Sequence, residues 1–257
     1  MIEWRSLDEV MAGKGLRMVL VQGIASPWGV AAKALFDLKD VPWNAAPWLP
    51  GEANEAIVRW SGADSGPVVV WNDERPVNRW LDILYLAERI APTPGLIPED
   101  PTERALMIGL CFEICGERGI GWNRRLQLFE PMIESGNAPE GVLRMGAKYG
   151  YSKAAAAAAK SRVITQLGAL ATQLERQYAA GRQYFVGNAL SALDLYFVAF
   201  MNLVALQSPE DCPMADAWRA AYRTGMDDPA MAAAVKPILV EHRDRIFRAH
   251  FRQPLEF

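Results

Sequence analysis

The sequence predicts two architectures in tandem, an α/β domain followed by an all-helical one, and three stretches carry that expectation. A short apolar run, Leu16–Val21, leads through Gly23 into Ser26-Pro27 and a segment patterned as a helix. Residues 66–89 (GPVVVWNDERPVNRWLDILYLAER) read as a strand, a tight turn, a short return strand and an amphipathic helix. Between positions 91 and 101, four prolines and a glycine separate this α/β pattern from a remainder with helical periodicity.

The first strand, LRMVLV, is a run of strand formers short enough to be buried on both faces. Ser26 is placed as the N-cap of the next helix with Pro27 at its first position, and Ala31, Ala34, Leu35 and Leu38 give that helix its buried face. Residues 41–46 form a weaker second strand, and a helix over 52–60 carries the crossover. Pro67 has no N–H to give to a ladder, so it opens the strand Val68–Trp71, and Asn72-Asp73 closes that strand in a turn tolerant of positive φ. Pro76 confines the return strand to an edge. Trp80, Ile83, Leu84 and Ala87 then recur at helical spacing, with Asn78 as a suitable N-cap. This order is the thioredoxin-like one, and its ligand-binding end is the carboxyl end of the first strand.

Beyond the linker, Asp100-Pro101-Thr102-Glu103 supplies a cap, a proline and an early acid for a long helix. Residues 129–151 hold two prolines and four glycines and read as a long interruption, whereas the alanine run at 154–159 starts a helix reaching about Tyr178. Ser191 and Asp194 form an N-terminal capping box for the most apolar helix, predicted to be the centre of the second domain. Asp228-Pro229 and Lys236-Pro237 start the last two helices.

Bulk properties narrow the function classes. The chain has 257 residues, 51% hydrophobic, and a net charge of −3, which leaves no basic footprint for nucleic acid and no charge block for a membrane surface. The longest apolar run, 193–206, is too short to span a bilayer and contains Asp194 and Asn202. The first ten residues lack a signal-peptide pattern, and three cysteines suit a reducing compartment, so a cytoplasmic location is expected. Two histidines, His242 and His250, give little support to a histidine triad or a metal site. Cys111 and Cys115, one turn apart, read either as a pair facing a partner or as small apolar core residues.

The proline, hairpin and helix ending in Leu-Tyr-Leu-Ala-Glu-Arg, together with the capping box at Ser191–Asp194 approached through Phe185-Val186-Gly187-Asn188, resemble the glutathione transferases. The resemblance spans both halves of the chain. It implies a thioredoxin-like glutathione-binding domain over residues 1–91, a linker at 92–100, an all-helical domain over 101–257, a homodimer, and glutathione as co-substrate with no metal. It also implies that Ser26 stands at the catalytic position, where a hydroxyl stabilises a thiolate, and that a cis bond at Pro67 lets Gly66 pair with the cysteinyl backbone. By offset from Pro67, Asn78-Arg79 occupies the place where the family has an acidic residue and a serine for the γ-glutamyl group. Arg79 at a helix start opposes the macrodipole unless it meets an anion, and reads as a carboxylate grip, a solvated side chain or a partner of Asp82. Trp28 is the candidate wall of an apolar electrophile pocket; Trp43, Trp48, Trp60, Trp71, Trp80 and Trp122 read as core or interface, and Arg118, Arg124 and Arg125 as cleft residues or a solvated helix face. The expected function is transfer of glutathione to a small apolar electrophile. The alternative is a non-enzymatic binding or assembly module that keeps the fold and holds a different acidic ligand.

Overall fold

The structure is a computed structural model and describes residues 2–257. Its sheet has three strands in the order β2-β1-β3, with β1 (Leu16–Val21) central, parallel to β2 (Trp43–Trp48) and antiparallel to β3 (Val68–Trp71). Alternation along β1 divides the packing. Leu16, Met18 and Leu20 point to one face with Leu35, Phe36, Ile83 and Leu84, which come from α2 (Pro27–Leu38) and α4 (Trp80–Ile90). Val19 points to the other with Ile57 of α3 (Glu55–Ser61) and Val10 of α1 (Leu7–Ala12). Arg17 is buried on that second face, and donates from its guanidinium to the carbonyls of Val10 and Met11 at 2.8 and 3.0 Å, satisfying the end of α1.

Three details of this half differ from the sequence expectation. The second strand begins and ends two residues later than 41–46. The return strand shrinks to a single bridge, Val69 with Val77, because Pro76 supplies no N–H and the chain leaves the sheet at Asn78. Arg79, not Asn78, is the N-cap of α4, with extended backbone and no side-chain cap.

The helical half runs through α5 (Pro101–Cys115), α6 (Ile120–Glu134), α7 (Glu140–Lys148), α8 (Lys153–Ala179), α9 (Ala192–Met201), α10 (Asp216–Asp227), α11 (Pro229–Ala234) and α12 (Pro237–His250). The capping residues work as the sequence suggests: Asp100 accepts from the N–H groups of Thr102 and Glu103, and Asp228 from those of Ala230 and Met231. Every residue of α9 is buried, and the helix packs against α2, α5 and α12. Asp194 is fully buried at its start and accepts from Ser191 N–H, Ser191 Oγ and Phe185 N–H at 3.0, 2.9 and 3.1 Å, with His242 Nε2 at 2.9 Å.

The stretch 129–151 is not an interruption. α6 continues through Pro131 to Glu134, and α7 fills much of the rest. Two of its glycines are contact residues instead of breakers: a Cβ at Gly141 would lie 2.9 Å from the carbonyl oxygen of Gly51, and one at Gly146 would lie 2.8 Å from Ile133 Cδ1. Cys111 and Cys115 are core residues, the Cys115 thiol donating to the Cys111 carbonyl at 3.0 Å.

Candidate functional site

A cleft of about 1030 Å³ lies between the carboxyl end of β1 and the helical half. Its floor follows from the βα turn after Val21. Gly23 takes φ of +75°, the chain turns through Ile24, and Ser26 precedes α2, whose first-turn N–H groups have no acceptor within the helix. Ser26 is buried and lines the cleft, yet its hydroxyl makes no capping bond and has no hydrogen-bond partner among the described residues. It differs in this from Asp100 and Ser152, whose side chains do cap their helices.

Beside it stands Gly66, joined to Pro67 by a cis peptide bond. A Cβ at Gly66 would come 3.3 Å from the Val19 carbonyl and 3.5 Å from Val21 N, so the loop lies close against β1 and a side chain there would be a tight fit. Asn78 and Arg79 border the same cleft at the start of α4. Arg79 is exposed and has no ion pair among the described residues, so of its three readings the pairing with Asp82 is not the one seen.

Trp28 is half-buried and fixed by two contacts. Its Nε1 donates to the Cys115 carbonyl at 3.2 Å, and its ring meets Phe200 edge-on at 4.8 Å. Gly121 of α6 leaves the room, since a Cβ there would lie 2.4 Å from Phe200 and 3.0 Å from Trp28. Trp48, Trp80 and Trp122, expected as core or interface, also line the cleft.

The structure thus brings Ser26, Trp28, Gly66, Pro67, Asn78 and Arg79 to one cavity. Several lining residues escape sequence reasoning because they come from distant helices: Phe129, Met145, Tyr149 and Trp218. Of the two readings the sequence offers for Arg124 and Arg125, cleft residue or solvated helix face, Arg125 takes the first and Arg124 neither. Neither is a solvated helix residue: Arg124 is buried and donates to the Leu203 carbonyl at 2.8 Å, while Arg125, about a hundred degrees round the helix, lines the cleft. Cys115 also reaches the cleft, but burial pushes its thiol well above the ordinary range, which disqualifies it as a ready thiolate.

The helical half is strapped to the α/β loops on one side of the cavity. Lys148 at the end of α7 bonds Ser65 Oγ at 2.6 Å and pairs with Asp64, and Arg144 donates to the Gly51 carbonyl at 3.3 Å. No group of three or more potential metal ligands occurs among the described residues.

The fold, a thioredoxin-like domain followed by an all-helical domain, is shared with solved glutathione S-transferases. A glutathione S-transferase from Methylobacterium radiotolerans, solved with glutathione sulfonate, superposes with a TM-score of 0.62 at 17% identity, covering 94% of this chain and 95% of that one. Rice GST1, solved with glutathione, gives 0.61 at 18% identity over 94% and 93%. The beta-etherase LigF from Sphingobium sp. strain SYK-6 gives 0.58 at 15% identity over 90% and 100%. The likeness at these identities is one of fold. No family model matches the sequence, and no curated protein matches it.

Proposed function

We propose that the protein is a glutathione-dependent transferase in which Ser26 stabilises the thiolate and the helical half receives the acceptor molecule. The observation that carries this reading is the unbonded hydroxyl of Ser26, buried at the start of α2 and facing a cleft that it shares with Gly66-Pro67 and the start of α4. Glutathione supplies the nucleophilic sulfur. Ser26 donates its hydroxyl proton toward that sulfur and the α2 N-terminus adds partial positive charge, which together hold a thiol of ordinary pKa about 8.5 in its charged form near neutrality. Gly66 leaves its backbone open to a peptide, and Asn78, Arg79 and the free N–H groups of α4 offer donors for carboxylates. Trp28 forms part of the apolar wall that excludes water around an apolar acceptor.

The proposed division at residues 92–100 and a homodimeric state belong to the same reading. Support for a second copy comes from Tyr85 and Leu106, large apolar side chains left 51% and 42% exposed on α4 and α5. Three free cysteines fit a cytoplasmic location, and no helix among the described residues is long and apolar enough to cross a membrane.

A second reading has one observation in its favour. Arg79 stands exposed and unpaired at the cleft, which suits a non-enzymatic module holding some other acidic ligand. Calorimetric titration with reduced glutathione at low salt, repeated on Arg79→Ala, separates the two. Saturable binding that weakens in the variant supports the transferase. No binding at millimolar glutathione removes it in favour of the module.

A further inference from the structure

Deep in the cleft, Arg125 is a cation without an anion. No carboxylate lies within ion-pair distance of it among the described residues, its Nε is buried without a partner, and the groups its guanidinium does interact with are the hydroxyls of Tyr149 and Tyr222. Its neighbour Arg124 shows what a structural arginine does here: it spends its guanidinium on the Leu203 carbonyl, Gln127 and Thr224. Arg125 instead sits between two aromatic rings, its Cζ 6.0 Å from the centroid of Tyr222 and its guanidinium beside Tyr149.

Neither tyrosine neutralises it. Burial raises the Tyr149 hydroxyl above its ordinary pKa, more than the neighbouring Arg125 lowers it, so at neutral pH Tyr149 remains a neutral donor. Tyr222 is fully buried, with its hydroxyl 3.4 Å from the carbonyl of Ala25, the residue before Ser26. Glu117 and Asp82 also border the cleft, and both are exposed and unpaired with Arg125. The two hydroxyls offset the burial of the guanidinium and keep it charged, but they bring no negative charge of their own, so the site still favours an anion, for which the neutral hydroxyl of Tyr149 is a second donor. The rings of Trp28, Trp122 and Phe129 stand around Tyr149 at centroid distances of 6.2, 4.5 and 6.1 Å, and Trp218 lines the same cleft.

We propose that the acceptor site takes a planar aromatic molecule bearing one carboxylate, with Arg125 gripping the carboxylate, Tyr149 donating to it and the tryptophans enclosing the ring. The inference deepens the transferase reading, replacing a wholly apolar acceptor by an aromatic acid, and its binding test needs no glutathione, so the two fail separately.

The test uses the full chain and a matched pair of probes, 2-naphthoate and its neutral isostere 2-naphthamide, followed by quenching of the cleft tryptophans. Wild type is expected to bind the acid at least about tenfold more tightly than the amide. Arg125→Gln is expected to bring the two within about twofold while leaving amide affinity in place, which also reports that the cleft is still folded. Arg125→Lys keeps the charge and is expected to retain part of the preference. Arg79→Ala is expected to retain it all. Equal binding of acid and amide to wild type, binding of neither, a preference that survives Arg125→Gln, or one lost in Arg79→Ala overturns the proposal.

Discussion

Replacing Ser26 by alanine separates a catalytic hydroxyl from a capping one. A serine that caps a helix contributes about 0.5–2 kcal/mol to stability. Here the side chain makes no capping bond, so Ser26→Ala is expected to cost the fold no more than about 0.5 kcal/mol. The effect on sulfur is larger. A hydrogen bond to a charged acceptor is worth roughly 1.5–3 kcal/mol, which corresponds to about one to two pH units in the pKa of a bound thiol. Below that pKa the thiolate fraction, and with it turnover, is expected to fall about 10- to 100-fold. The assay is the ultraviolet thiolate absorbance of bound glutathione titrated against pH in both proteins, with urea unfolding alongside. A bound-thiol pKa that does not move refutes the role of Ser26 even if turnover drops. A stability loss near 2 kcal/mol, the upper range for a lost cap, refutes the reading that its hydroxyl is free.

Asp194→Ala removes the buried acceptor of Phe185 N–H, Ser191 N–H and His242, and at roughly 1–3 kcal/mol per stranded group the fold is expected to lose about 4 kcal/mol or more, read by urea unfolding; a loss under about 1 kcal/mol contradicts it. Burial lowers the pKa of Lys33 on α2 to about 8 from 10.5, against the opposing pull of Asp37. Because the unfolded chain then binds more protons between those two values, stability from this group rises with pH across that window, by about 3 kcal/mol in all. Lys33→Met should flatten that rise, and equal slopes for the two proteins would count against the buried charge. Gly121→Ala pushes a methyl into Phe200 and Trp28, with an expected cost of about 1–3 kcal/mol and a shifted Trp28 emission; an unshifted spectrum with unchanged stability contradicts the packing described.

What the sequence made legible was whatever its own local chemistry determines. Leu16–Val21 was readable to the residue because strand formers run up to a glycine, and Asp100-Pro101 and Asp228-Pro229 because cap and proline act within one turn. The glycines at 141 and 146 misled because local reading treats them as breakers; their reason is a neighbour that sequence does not display, the Gly51 carbonyl in one case and Ile133 in the other. In the cleft, Ser26 and Gly66-Pro67 stand at topological landmarks, and Trp28 and Asn78-Arg79 lie at the starts of α2 and α4, so the sequence points to places that border the cavity. Tyr149 and Trp218 carry no local signal for a cavity more than a hundred residues from Ser26. Arg79 as the cap of α4 was missed by one position, since side-chain preference favours asparagine while the backbone turns one residue later.

The strap made by α7 also bears on how such chains are recombined. Gly141 fits against Gly51 without a side chain, Lys148 reaches Asp64 and Ser65, and Arg144 reaches the Gly51 carbonyl, so three points of one helix match two loops of the other half. A chimera joined at the proline-rich segment, taking its helical half from another protein of this architecture, would inherit a mismatched seam. To keep the cavity's shape, the graft must carry the loops around Gly51 and Asp64 together with α7, and the working unit of exchange is therefore this discontinuous set, not either half of the chain.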